Sequence, residues 1–137
     1  MTNPAVVSKR LAKLREYVEV LKRIRSEPRE RFVSDPLVYG NAERYTQLAV
    51  QVMLDIGSHL VADNRLGDVS EYRDIFRVLG DAEYIPRELA ERLMPLAGLR
   101  NILVHDYMDV DRNRLYDSLQ GGLRDFEEFA EHVARLL

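Results

Sequence analysis

Apolar residues recur at helical spacing along almost the whole chain. Val7, Leu11, Leu14, Val18 and Leu21 step by four, three, four and three residues, while Lys9, Lys13, Arg15, Glu16, Lys22 and Arg23 take the opposite side. One apolar stripe backed by charge predicts an amphipathic helix. Asn3-Pro4 supplies its start, a capping residue followed by proline at the first helical position. The stripe fades at Ser26-Glu27-Pro28, and Arg29 to Arg31 reads as a charged connector. Ser34-Asp35-Pro36 repeats the cap-and-proline signal and opens the longest predicted helix, about Pro36 to Ala62. Its wide apolar face (Tyr45, Leu48, Ala49, Val52, Met53, Ile56 and Leu60) suits the centre of a bundle.

A short third helix is expected from about Ser70 to Leu79, with Tyr72, Ile75, Phe76 and Leu79 inward and Gly80 as its stop. The fourth opens at Pro86 and buries Leu89, Leu93, Leu96, Ala97, Leu103 and Val104. It contains Pro95, which lacks an N–H and is expected to kink or break it. The last begins near Asp111 and turns Leu115, Leu119, Leu123, Phe126, Ala130 and Val133 inward. Gly121-Gly122 interrupts it, at about 1 kcal/mol per glycine relative to alanine, and predicts a bend. No run alternates as a strand does. The predicted class is therefore all-α, a helical bundle of four main helices plus one short helix, in a single domain over residues 1–137.

Composition narrows the chemistry. The chain has 46% hydrophobic and 31% charged residues, which is globular composition. It has no cysteine, so a disulfide framework, a thiol nucleophile and a thiolate metal site are excluded. No run of eighteen apolar residues is present, and Met1 to Arg10 carries no signal-peptide pattern, so a cytoplasmic protein is expected. A net charge of −3 argues against a uniformly basic nucleic-acid binder. Lys22, Arg23, Arg25, Arg29 and Arg31 nevertheless cluster, and are a candidate RNA-facing patch with a solvated helix end as the equal alternative.

Walker, Gly-x-Gly-x-x-Gly, Gly-x-Ser-x-Gly and His-Glu-x-x-His motifs are absent, and His59, His105 and His132 show no metal-ligand spacing. One segment stands apart: Arg100-Asn101-Ile102-Leu103-Val104-His105-Asp106-Tyr107. Arginine grips phosphate oxygens with two donors, and histidine moves a proton near neutral pH. Together they suit metal-independent RNA cleavage, in which a ribose 2′-OH attacks its own phosphate. An Arg-x4-His spacing alone is expected about 0.4 times in a chain of this composition, which is weak evidence. Requiring the Asn and the Tyr as well lowers this to about 0.0007, which makes the string specific. Residues five apart lie about 140° apart around a helix, so Arg100 and His105 do not point the same way. Three arrangements answer this: the helix ends before His105, the Arg100 side chain folds round, or two copies of the motif meet across a dimer axis. The plainer account of the segment is a set of groups satisfying a helix C-terminus.

The string Leu99 to Tyr107 resembles the hallmark motif of the HepT-like toxins, in the HEPN superfamily of small helical proteins. Ala42 to Gln51, Tyr72 to Phe76, Ile85-Pro86, Asp111 to Tyr116 and Phe126 to Phe129 extend the likeness in order along the chain. The resemblance implies a HEPN-type bundle, a homodimer with the motif helices lining a cleft, and an endoribonuclease toxin needing no metal or cofactor. It further implies tRNA or mRNA as substrate and a minimal nucleotidyltransferase as antitoxin. By position it makes Arg100 the phosphate-binding residue, His105 the general acid/base, Asn101 the orienting polar residue and Tyr107 the acceptor of AMP. A non-catalytic nucleotide-binding or accessory subunit of a nucleotidyltransferase is the alternative function.

Overall fold

A computed structural model describes residues 2–137. It contains α1 (Pro4–Arg25), α2 (Arg29–Ser34), α3 (Pro36–Asp63), α4 (Tyr72–Asp81), α5 (Arg87–His105) and α6 (Arg112–Arg135), with a 3-10 turn at Tyr107–Asp109. There is no strand among the described residues. Both cap-and-proline signals operate as their chemistry requires. The Asn3 side chain accepts from the Ala5 N–H at 3.0 Å, and the Asp35 carboxylate accepts from the Leu37 N–H at 2.9 Å.

The hydrophobic stripes meet around α3, which packs against all five other helices. Val7, Leu14 and Leu21 of α1, Met53 and Ile56 of α3, Phe76 of α4, Leu93 of α5 and Phe129 of α6 are fully buried in one cluster. Phe76 and Phe129 meet edge to face, centroids 6.0 Å apart. Two glycines set how closely helices approach. A Cβ at Gly57 would lie 2.4 Å from Ile75 Cγ2, and one at Gly80 would lie 2.7 Å from Ala90 Cβ. These contacts bring α4 down onto α3 and α5.

Three expectations are corrected. The connector after the first helix is a helix, α2, so the bundle has four long helices and two short ones. Six residues are too few to show a period. What holds α2 is its one fully buried residue, Phe32, whose ring lies 5.0 Å from that of Tyr116. Pro95 does not break α5. Pro95 and Glu91, whose carbonyl loses its N–H partner, are both exposed, so water can replace the bond. Gly121-Gly122 does not interrupt α6. Buried Leu115, Leu119, Leu123 and Phe126 hold the helix on both sides of the pair.

The basic cluster is mostly engaged within the fold. Lys22 pairs with Glu127 at 3.0 Å, and Arg25 donates to the Leu119 and Gln120 carbonyls at 3.4 Å. Arg29 bonds Asn113 and Asp117 and lies over the Tyr116 ring. Arg31 pairs with Glu27 and Asp35. Most of these side chains therefore stitch α1 and α2 to α6 or pair locally, instead of forming an open cationic patch.

Urea unfolding tests this packing. Gly57→Ala is expected to lower stability by roughly 1–3 kcal/mol, because the added methyl meets Ile75. Gly121→Ala, with nothing within 4 Å of the new Cβ, is expected to raise it by about 0.5–1 kcal/mol. Loss of stability in the second variant would show that the helix at Gly121 is not as described.

Candidate functional site

The unusual segment occupies the last turns of α5 and the turn beyond it. Arg100 is half-buried where α5 meets α3. Its Nε donates to Gln51 Oε1 at 2.9 Å, and Gln51 Nε2 in turn donates to Asp55 Oδ1 at 3.0 Å. Arg100 Nη1 donates to Asn101 Oδ1 at 3.1 Å. The guanidinium carbon stands 4.8 Å from the centroid of the Tyr72 ring, a cation–π contact. A guanidinium carries five N–H donors, so three remain beyond the bonds to Gln51 and Asn101.

The geometry bears on how Arg100 relates to His105. α5 continues through His105, so the helix does not end before it. Arg100 is engaged by Gln51 of α3 and Tyr72 of α4. His105 is exposed at the final position of α5, and Asn101 is exposed one turn before it. Asp106 leaves helical geometry at φ −125° and ψ 38°. A 3-10 turn then presents Tyr107 at 67% and Met108 at 86% exposure. The turn is anchored beyond by Asp111, which caps α6, and by Arg112, whose guanidinium carbon sits 3.6 Å from the Tyr39 ring centroid on α3. Beside that anchor burial pushes the Glu43 carboxyl up, and Arg112 acts against the shift.

A cleft flanks the motif helix on each side. One of about 460 Å³ is lined by Glu71, Tyr72, Arg73, Gly98 and Asn101. The other, about 440 Å³ and more apolar, is bounded by Leu99 and Ile102 of α5, Val110, and Arg114 and Leu115 of α6. Ile102 is 40% exposed, an apolar residue left open on the face of α5.

Tyr72 was expected inward and instead is 43% exposed. It is the first residue of α4 and precedes the buried run of Ile75, Phe76, Val78 and Leu79. Gln51 and Asp55 lie outside the Leu99–Tyr107 string, and only their i,i+4 spacing on α3 could have marked them as a bonded pair. His59 lies near Arg10 and Asp55, and His132 beside Arg135, so neither joins the motif. Among the described residues no group of His, Asp or Glu is placed to hold a metal ion.

The start of α4 determines where Tyr72 stands. Asp74 accepts from the Glu71 N–H at 2.9 Å, from the Ser70 N–H at 3.1 Å and from the Ser70 hydroxyl at 3.0 Å. These three bonds favour the charged carboxylate and lower its pKa to about 2.

A family model described as ribonuclease HepT-like matches residues 14–133. The chain is 28% identical over 135 residues to the tRNA nuclease HepT of Aphanizomenon flos-aquae, covering 97% of this chain and 92% of that protein. It is 32% identical over 87 residues to the mRNA nuclease HepT of Shewanella oneidensis, covering 64% of this chain and 65% of that protein. In fold it is similar to a tri-AMPylated Shewanella oneidensis HEPN toxin solved in complex with MNT antitoxin. That likeness has a TM-score of 0.88 and 24% identity, over 97% of this chain and 98% of that one.

The Asp74 carboxyl gives a direct check on the local geometry. Its folded pKa lies below its ordinary value of 3.8, so its contribution to stability is complete above that value and is lost as pH falls towards 2. An NMR titration is expected to place its midpoint near 2. A midpoint near the ordinary value would mean that the three bonds at the start of α4 are not made.

Proposed function

This chain belongs to the HepT-like ribonucleases, and we propose that it is a metal-independent endoribonuclease toxin, working as a homodimer and silenced by a nucleotidyltransferase antitoxin. The observation that carries this reading is the preset Arg100 guanidinium, with three donors left over, on a helix whose end also exposes the Asn101 amide and His105 imidazole and is followed by the exposed Tyr107 phenol. In the proposed reaction the ribose 2′-oxygen attacks the adjacent phosphorus. The bond to the 5′-oxygen breaks, leaving a 2′,3′-cyclic phosphate and a free 5′-hydroxyl. Arg100 binds the phosphate oxygens and stabilises the extra charge of the pentacoordinate transition state. His105 transfers a proton, from the 2′-OH or to the departing 5′-oxygen. Asn101 orients the guanidinium through its Oδ1.

Arg100 is engaged by α3 and α4, while His105 lies about 140° further round α5. A two-fold axis along the exposed face of α5 would bring the Arg100 of one copy to the His105 of the other. The relatives include a tRNA nuclease and an mRNA nuclease, so the substrate class is RNA, with both kinds to be tried. A related HEPN toxin is AMPylated and bound by an MNT antitoxin, which supports Tyr107 as the modification site here. Its ring is 67% exposed and two residues from His105, where AMP would add bulk and negative charge and repel RNA. The whole chain, residues 1–137, works on this reading as one HEPN-type domain in the cytoplasm, with no cofactor.

Metal-free cleavage tests the proposal. Protein shown by mass spectrometry to carry no AMP is expected to cut a tRNA pool or mRNA in EDTA, leaving 2′,3′-cyclic phosphate ends. Arg100→Ala and His105→Ala should each lower the rate by roughly 100-fold or more. No cleavage by unmodified dimer on either RNA would favour the non-catalytic nucleotide-binding subunit. Tyr107→Phe is expected to keep cutting in the presence of a nucleotidyltransferase antitoxin and ATP, conditions that silence the wild type. Silencing of the variant would remove Tyr107 as the acceptor.

A further inference from the structure

Arginine is a flexible side chain, and one that must wait for substrate to orient it gives up rotamer freedom in the binding step. Arg100 does not wait. Its Nε–H is bonded to Gln51 Oε1, and the direction of that amide is itself determined by Asp55. A carboxylate only accepts, so Asp55 draws the NH2 of Gln51 towards itself and leaves the carbonyl oxygen facing Arg100. With the amide reversed, two donors would oppose each other. Tyr72 lies over the guanidinium carbon at 4.8 Å and Asn101 takes Nη1, so the group is held by three neighbouring side chains.

The geometry points to Gln51 as a positioning residue for the reacting Arg100, with Asp55 fixing the orientation of Gln51. The inference rests on the ribonuclease reading of Arg100. The amide at position 51 has a particular merit. A carboxylate there would hold the guanidinium equally still but would neutralise its charge and compete with the substrate phosphate. The neutral amide keeps the orientation and leaves the charge for RNA. The one carboxylate of this hydrogen-bonded series, Asp55, bonds the far side of the amide. Holding the guanidinium in place before substrate arrives lowers the barrier by preorganisation, the same effect that makes a small misplacement of a reacting group costly.

The two properties separate in two variants, assayed on the full-length dimer. In Gln51→Ala the Arg100 Nε–H loses its partner. Its NMR signal, expected to exchange slowly in the wild type, should broaden or exchange rapidly in this variant. RNA cleavage should lose roughly 10- to 100-fold in kcat with KM within about twofold. In Gln51→Glu, made together with Asp55→Asn so that an amide N–H at position 55 donates to the new carboxylate, the side-chain length and the bond to Nε are kept, so the Nε–H signal should stay protected. KM is then expected to rise about three- to fivefold as the carboxylate competes for the cation.

Gln51→Ala with an unchanged Nε–H signal and unchanged kcat would overturn the inference. Equal damage in Gln51→Ala and in Gln51→Glu with Asp55→Asn, in signal and rate alike, would also overturn it, since that is the mark of a merely structural position. If the wild type cuts no RNA, the ribonuclease reading fails and the Nε–H signal alone decides whether Gln51 positions Arg100.

Discussion

The position of α3 constrains everything else in the molecule. It packs against every other helix, so burying a polar group on its inner sides is costly unless that group is bonded. Gln51 and Asp55 are half-buried, four residues apart on one side of α3, and they bond each other and Arg100 of α5. This contact satisfies an amide and a carboxylate at the α3–α5 seam, and it holds the Arg100 guanidinium in one orientation. Close packing elsewhere supports it. Gly57 lets Ile75 approach α3, which brings α4, and with it Tyr72, down beside Arg100.

The long elements were legible in the sequence because each carries many apolar residues at one period. Val7 to Leu21 and Leu115 to Val133 bury the stripe that the spacing implied, and in α3 Ala49, Met53, Ile56 and Leu60 are buried while Tyr45, Leu48 and Val52 are half-buried. Where single-residue rules opposed a long stripe, the stripe prevailed. Pro95 and the Gly121-Gly122 pair each cost local hydrogen bonding or entropy, and each is outweighed by buried residues on both sides. α2 was illegible for the converse reason. It has one buried side chain, Phe32, and exists because Tyr116 and the core receive it. The basic cluster after α1 shows a related limit, since composition counts charges but not their partners. Glu127, Asp117, Asn113 and two carbonyls of α6 lie far along the chain from the basic residues they engage.

Half of the candidate site was legible in the same way. Arg100, Asn101, His105 and Tyr107 fall within eight residues, and an unusual string of polar groups is visible without a structure. Their support was not. Gln51 and Asp55 belong to another helix, and Tyr72 reads as one more apolar position in a short amphipathic segment. Only the fold shows that Tyr72 stays exposed and stacks on the guanidinium. The angular separation of Arg100 and His105 was calculable from helix geometry, and it turns a possible weakness of the motif into a statement about symmetry. One chain presents the two groups in different directions, and on the proposed dimer reading two chains related by a two-fold axis would present them to a common cleft.

That statement is open to one direct measurement. Arg100→Ala and His105→Ala proteins, each inactive alone, are co-assembled into mixed dimers and assayed for metal-free RNA cleavage. If each site takes its arginine from one copy and its histidine from the other, a mixed dimer holds one intact site and cleavage returns. If both groups act from the same chain, every site in the mixed dimer lacks one of them and cleavage stays absent. Silence from verified mixed dimers, beside an active wild type, would contradict the account.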